Sequence, residues 1–303
     1  MRVFLTGATG FIGSAIIPEL LDAGHQVLGM TRSDAGAKSL AALGVEVHRG
    51  ALEDLASISE GAAKADAVIH TAFDHDFSNF VANCAKDARV IEALGTPLIG
   101  SDRLLIITSG VGIGNTAPGQ PADEDAFDAE HPNPRIASEL AGQKMAAAGV
   151  KIAVVRLSQI HDTVKQGLIT PAVGIARAKR LSAYVGDGSN RWSAAHVSDV
   201  ARLYRLALDK GVAGARYNAV AEEGITARAI AEVVGRGLDV PVASLSPEEA
   251  AEHFGWMAGF VSMDMPASSA KTRERLGWNP TGPGLIADLE AMDYGVPTET
   301  ASR

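Results

Sequence analysis

Seven residues near the start of the chain, Gly7-Ala8-Thr9-Gly10-Phe11-Ile12-Gly13, have the types and spacing to hold a diphosphate. Gly7 permits a tight turn, Gly10 lets backbone approach a pyrophosphate, and Gly13 lets a helix pack close on a strand. The free N–H groups at the head of the helix opened by Phe11 and Ile12 would then face the phosphate charge, with Thr9 inside the loop. Two histidines sit beside acids, in Phe73-Asp74-His75-Asp76 and in Gln159-Ile160-His161-Asp162. A histidine between carboxylates holds its proton near neutrality and could hand it to a substrate. The plainer alternatives are that Asp76 caps a helix and that His161 only orients a loop.

These residues need a frame, and the hydropathy pattern supplies one. Arg2–Thr6 reads as a buried strand, and Ile12, Ile16 and Leu20 recur on one face of the helix after it. That helix ends near Gly24, a left-handed stop, and Pro18 should bend it. Strands are expected at 24–31, 45–48, 66–70, 104–107 and 152–155, with helices at 37–44, 77–94 and 135–148 between them. The long stretch 110–134 is a loop. Near-continuous apolar strands alternating with helices predict an α/β fold, a Rossmann-type doubly wound parallel sheet covered on both faces. The second half reads as helices at 170–180, 198–208 (capped by Ser198) and 226–238, strands at 181–185, 215–218 and 242–245, and a helix start at Ser246-Pro247. Two of these elements should extend the sheet and the others form a smaller lobe. The expected division is a dinucleotide-binding part, 1–158, and a substrate-facing C-terminal lobe, 159–303, intertwined as one unit. Following strands four and six, the two histidine clusters fall at the carboxyl edge, where such sheets bind ligands.

Composition allows this. The 303 residues are 47% hydrophobic and include 32 glycines, enough for a sizeable core with tight turns. A net charge of -9 argues against a nucleic-acid partner. The single cysteine, Cys84, excludes an internal disulfide and a cysteine-based zinc site, no metal is expected, and a reducing cytoplasm is the implied compartment. No apolar run is long enough to span a membrane, and the first strand begins too early to follow a signal peptide.

The end of the second strand bears on the choice of dinucleotide. An acid there would hydrogen-bond a ribose 2′-OH, yet the chain reads Thr31-Arg32-Ser33. Arg32 offers a fork for a 2′-phosphate and Ser33 a hydroxyl and an N–H, so NADP(H) is preferred over NAD(H).

The glycine loop resembles that of extended and atypical short-chain dehydrogenase/reductases, the NAD-dependent epimerase/dehydratase superfamily. Gly50-Ala51-Leu52-Glu53-Asp54, Val68-Ile69-His70-Thr71-Ala72, Val154-Val155-Arg156-Leu157, His196-Val197-Ser198-Asp199-Val200-Ala201 and Leu276-Gly277-Trp278-Asn279-Pro280-Thr281 are similar to its later motifs, in family order. The resemblance implies that Thr71 and Ala72 face the nicotinamide half, with Thr108 nearby. The adenine contact would pass to the backbone of Leu52, since Ala51 stands where the family has Asp. Tyr184, Arg191 and Trp192 would line the substrate pocket, two as aromatic walls and Arg191 as an anionic contact, while His196 would be structural. The long helix carrying Cys84 could serve a homodimer.

The family's catalytic pair is missing. It places a Tyr four residues before a Lys on the helix after strand five, but residues four beyond Tyr184, Tyr204, Tyr217 and Tyr294 are Gly188, Leu208, Ala221 and Thr298. Pro134 and Ser138, give or take a residue, stand in the expected places. The family's catalytic hydroxyl would fall at Gly110; Ser109 could reach a substrate carbonyl if the loop shifts, or be a strand-end Ser bonded to backbone, and Ser109, His75 and His161 are the candidate catalytic residues. The favoured expectation is an NADP(H)-dependent oxidoreductase passing hydride to a small hydrophobic carbonyl, imine or activated alkene with a proton donor other than Tyr. An epimerase, isomerase or dehydratase using bound NAD(P), and a non-catalytic NAD(P)-binding regulator, are the alternatives. An apolar run from Phe254 to Met265 is core, a greasy pocket wall or a dimer face.

Overall fold

The computed structural model describes residues 1–295, so residues 296–303 of the expected C-terminal lobe, Thr298 among them, lie outside the described residues. Val3, Phe4 and Leu5 have no exposed surface, which is why β1 (Arg2–Thr6) carries apolar side chains on both faces. The first half of the chain continues as α1 (Phe11–Asp22), β2 (Gln26–Thr31), α2 (Asp34–Ala42), β3 (Glu46–Arg49), α3 (Leu55–Ala63), β4 (Ala67–His70), α4 (Phe80–Gly95), β5 (Leu104–Gly110), α5 (Ile136–Ala147) and β6 (Lys151–Leu157). After it come β7 (Gln159–His161), α6 (Ile169–Lys179), β8 (Ser182–Val185), β9 (Arg191–His196), α7 (Val197–Lys210), β10 (Arg216–Ala219), β11 (Glu222–Thr226), α8 (Ala227–Leu238), β12 (Val242–Leu245) and α9 (Pro247–Phe254). Short helices α10 (Ala258–Val261), α11 (Ala270–Leu276) and α12 (Leu285–Ala291) close the described chain.

The main sheet has seven strands in the order β10-β6-β5-β4-β1-β2-β3, and every pairing in it is parallel. The order reverses direction between β1 and β4, which opens a crevice at their carboxyl ends. Ile16, Ile17 and Leu20 of α1 with Leu203 and Tyr204 of α7 cover one face. Ile58, Val90, Leu94 and Met145 from α3, α4 and α5 cover the other. Each such side chain taken fully from water contributes about 1.5–3 kcal/mol, so both faces drive the sheet together. A third apolar cluster, including Val173, Trp192, Val233 and Phe254, builds the remaining lobe. Among the described residues no helix is long and apolar enough to cross a membrane.

Several sequence expectations are corrected. One element of the second half joins the main sheet, β10, instead of two; β7, β9 and β11 make a separate three-stranded sheet, and β8 pairs with β12. Helix α3 was not anticipated, although Asp54 caps it by accepting the Ser57 N–H. Its core face is Ile58, Gly61 and Ala62, too small to stand out as an apolar stripe. A Cβ at Gly61 would lie 2.3 Å from the Phe4 ring, so only glycine lets this helix approach the sheet. The cap of α7 is the His196 ring, which accepts the Ser198 N–H, in place of Ser198 itself. The expected 77–94 helix starts with a 3₁₀ turn, Phe77–Asn79, before α4 takes over.

Candidate active site

The glycine loop folds into a cradle at the sheet's crevice. Gly7 has φ +70°, and a Cβ there would stand 2.7 Å from both the Ala72 nitrogen and Thr71 Oγ1. A Cβ on Gly13 would lie 2.1 Å from the Gly7 carbonyl oxygen, and one on Gly10 3.1 Å from it. Thr71 and Ala72 therefore press directly on the loop, with Thr71 Oγ1 donating to the Thr6 carbonyl at 2.8 Å. Helix α1 begins at Gly10 with no side-chain cap, so the amides of Phe11 and Ile12 remain for an anion, backed by a 12-residue helix dipole. A cradle in which no Cβ would fit, ending in uncapped amides, suits a dinucleotide diphosphate.

Beyond β2, Arg32 is exposed and its side chain makes no hydrogen bond among the described residues. Arg49 clamps the turn by donating to the carbonyls of Ser33 (2.5 Å) and Arg32 (3.2 Å) and to Asp34 (2.9 Å). The Ser33 oxygen is spent in capping α2 through the Gly36 N–H at 3.0 Å, which leaves only its O–H hydrogen for a phosphate. Leu52 packs its side chain on the core, so its backbone alone can face a ligand. Thr108 departs from expectation. Its hydroxyl is buried, donating to the His70 carbonyl at 2.6 Å and meeting the Tyr204 hydroxyl at 2.6 Å.

Beside the cradle lies a cleft of about 220 Å³. Phe73, Phe77, Phe80, Phe260, Trp192 and Met265 give it apolar walls, and Ser109, His75 and Arg135 supply polar groups. Ser109 is 3% exposed and its Oγ has no hydrogen-bond partner. A buried hydroxyl left unpaired costs on the order of 1–3 kcal/mol, which a substrate oxygen would recover.

Arg135 is the functional residue that sequence reasoning missed. It starts α5, where the helix dipole disfavours a cation, and a buried polar chain compensates. Its guanidinium donates to Asp87 Oδ2 at 2.6 Å, to the Thr108 carbonyl at 2.8 Å and to Ser138 Oγ. Ser138 in turn donates to Asp87 at 2.6 Å, and Asp87 also meets His70 Nε2 at 3.0 Å, whose Nδ1 lies 2.7 Å from Thr6 Oγ1. Burial alone would push the Asp87 carboxyl up, but the Arg135 guanidinium, with His70 and Ser138, holds it well below the usual carboxylate range. Three of five guanidinium N–H groups are thereby used among the described residues, and the guanidinium, which lines the cleft, lies 4.2 Å from the centroid of the Phe73 ring. The available sequence signal was an arginine at a helix start, four residues before Glu139.

The histidine candidates divide. His75 lines the cleft, crowded by the rings of Phe73 and Phe77 at 5.4 and 6.1 Å. His75 is exposed, yet desolvation of its ring and then the Arg135 charge lower its pKa. Asp74 pulls the other way but more weakly, being paired with Lys86 at 2.6 Å, and Asp76 caps the 3₁₀ turn. His161 is fully buried, bonded to Asp288 at 2.6 Å, and the structure does not bring it to the cleft. Tyr184 lines a separate small apolar pocket and lies under Arg228. Arg191 is held by both Asp264 oxygens, at 2.8 and 3.1 Å, and by the Gly119 carbonyl, so it is not free for a substrate anion. Trp192 does wall the cleft, its indole N–H donating to the Met263 carbonyl. Cys84 is buried, which pushes its thiol up to about 11 and makes it a core residue.

Known proteins share this architecture. An uncharacterised protein of Schizosaccharomyces pombe is 45% identical over 97% of this chain and 100% of its own length. A 2-alkyl-3-oxoalkanoate reductase of Stenotrophomonas maltophilia is 31% identical over 71% of this chain and 67% of its own. Among solved structures, the Thermus thermophilus UDP-glucose 4-epimerase complex with NAD superposes with a TM-score of 0.72 and 21% identity, over 96% of this chain and 97% of that one. Pal from Bacillus thuringiensis reaches 0.76 with 16% identity, over 96% and 98%. At such identities these two likenesses concern the fold alone. The model of the NAD dependent epimerase/dehydratase family matches residues 3–220, in line with the cradle and the sheet order, and this chain belongs to that family.

Proposed function

We propose that the chain is an NADP(H)-dependent reductase of a hydrophobic carbonyl compound. The observation that carries this reading is the unpaired, buried Ser109 hydroxyl in an apolar cleft it shares with the Arg135 guanidinium. Bound in the glycine cradle, a reduced nicotinamide dinucleotide supplies a hydride. Ser109 donates its hydrogen to the carbonyl oxygen and orients it. Arg135, which never loses its proton, holds the negative charge that grows on that oxygen. The alkoxide then takes its proton from water in the open cleft. The aromatic walls keep polar competitors out and favour an apolar substrate.

Ser109 and Arg135 both donate, which suits a carbonyl oxygen gaining negative charge; an oxidation would have to rely on His75 in the same cleft to receive the proton. The relative described as a 2-alkyl-3-oxoalkanoate reductase supports a carbonyl acceptor. Ser109→Ala is expected to lower kcat in an NADPH-oxidation assay by about 10²-fold, the loss typical of one oxyanion donor, with cofactor affinity unchanged. Loss below threefold, or tight cofactor binding with no turnover on any carbonyl of an aliphatic and aryl ketone panel, would overturn the reading.

Preference for the 2′-phosphate rests on Arg32, whose guanidinium is free at the end of β2. Arg32→Ala should weaken NADPH binding about 10- to 100-fold, the value of one or two charge-assisted hydrogen bonds, and leave NADH within threefold. Calorimetric titration of both dinucleotides measures it, and equal losses for the two would refute the assignment.

A further inference from the structure

Half of the chain's eight phenylalanines, Phe73, Phe77, Phe80 and Phe260, line the single cleft that holds Ser109. They come from two sides. Phe73 and Phe77 belong to the segment joining β4 to α4 and Phe80 opens α4, whereas Phe260 lies in α10, just beyond the 3₁₀ turn Gly255–Met257 that carries Trp256. Most of the ring contacts in this cluster are edge-to-face, such as Phe77–Phe260 at 5.9 Å and 70°, and Trp256–Phe260 at 6.1 Å and 74°. One pair differs. The rings of Phe77 and Trp256 lie 9° from parallel with centroids 5.2 Å apart.

Phe77 lines the cleft, whereas Trp256 lies outside its lining and reaches it through Phe77 and Phe260; among the described residues no backbone hydrogen bond joins the two turns. Trp256 is also 50% exposed, unlike Trp192 and Trp278 at 5% and 1%. Both rings also meet Phe260 edge-on, yet only their contact with each other is face to face, and parallel faces have a use that edge-to-face pairs lack. A flat group entering between them exchanges one ring–ring contact for two. An aliphatic chain, having no ring face, gains only area there.

We propose that Phe77 and Trp256 are specificity-determining residues that take a flat aromatic group of the substrate between their rings, with its carbonyl directed at Ser109. This deepens the reductase reading and rests on it for the carbonyl. The cleft supports the same substrate class from its charges. Its one permanent cation, Arg135, is already paired with Asp87, so nothing there calls for an anionic or phosphorylated substrate.

The test uses the whole protein saturated with oxidised NADP, so that no reduction takes place, and two neutral ketones as probes, 2-acetylnaphthalene and 2-heptanone. Binding is read by tryptophan emission, of which Trp256 is the exposed component, and by calorimetry. The naphthyl ketone is expected to quench and blue-shift that emission saturably, and to bind more tightly than the alkyl ketone. Trp256→Leu and Phe77→Leu should each lower the preference for the naphthyl probe about tenfold, whereas Trp256→Phe, which keeps a ring, preserves it. If the rings only tie the two sides together, the melting temperature falls in the leucine variants and the preference stays as it was; that result overturns the proposal. An absence of quenching in the wild-type protein overturns it too, and needs no variant to fold. Binding with the expected preference but no turnover with NADPH would sink the reductase reading and leave the aromatic site standing. Turnover of both ketones with a preference unmoved by the leucine variants would do the reverse.

Discussion

Arg135→Met loses about 10³-fold in kcat and folds less stably, because one guanidinium serves both the cleft and the buried carboxylate behind it. The turnover loss follows from removing the permanent positive charge that lines the cleft with the Ser109 hydroxyl. The stability loss follows from Asp87, which is 3% exposed and would keep its charge with only His70 and Ser138 to hold it. The two effects separate in a double variant. Asp87→Asn with Arg135→Met removes the stranded charge, so the melting temperature should recover while turnover does not. Acid gives a second handle. The folded-state pKa of Asp87 lies below its unfolded value, so its contribution to stability is present above about pH 4 and fades as pH falls further. Without Arg135 that pKa rises, and the stability gap between variant and wild type should narrow on acidification from pH 7 toward pH 4. A kcat within threefold of wild type for Arg135→Met, measured by NADPH oxidation, would remove Arg135 from the chemistry.

Arg156→Met is expected to cost roughly 3–5 kcal/mol of stability, as removing one partner of a buried ion pair does. Arg156 and Glu139 are 0% and 1% exposed, and the arginine donates to both Glu139 oxygens, at 2.8 and 3.0 Å. Burial would push the Glu139 carboxyl up, yet Arg156 and then Arg216, at 2.7 Å, hold it below its ordinary value. Arg156 also donates to the carbonyls of Asp123 (3.1 Å) and Ala126 (2.9 Å), which ties the long 110–134 loop onto β6. The variant therefore leaves the buried carboxylate to Arg216 alone and frees two carbonyls together. Urea unfolding at pH 7 measures the loss, and a change under 1 kcal/mol would mean that water reaches Glu139. Converting Glu139 to Leu as well should restore much of the stability, since an apolar pair of similar volume is often as stable as a buried ion pair.

The backbone plan of this protein is legible from local pattern. Period and apolar runs placed the first six strands of the main sheet and the long helices. Gly24 and Gly44 take left-handed φ as helix stops, and Ser246 with Glu249 forms a capping box behind Pro247. Such features depend on neighbours a few residues away, which a linear reading sees. Partners do not. Arg191 looked available until Asp264, seventy-three residues on, closed around it, and the acids beside His75 went to Lys86 and to a turn. His161 found Asp288 across 127 residues and was sealed from the cleft.

The chain's own order of residues was enough to declare a phosphate-holding loop on the first strand, because glycine's missing side chain is a local property that acts wherever the loop folds. Which polar groups stay free for chemistry is another matter. A charge is available only when nothing nearer claims it, and claims are settled in space. Folding left Ser109 without a partner and gave Arg135 a carboxylate to stand on, and no count of residues along the chain contains that outcome.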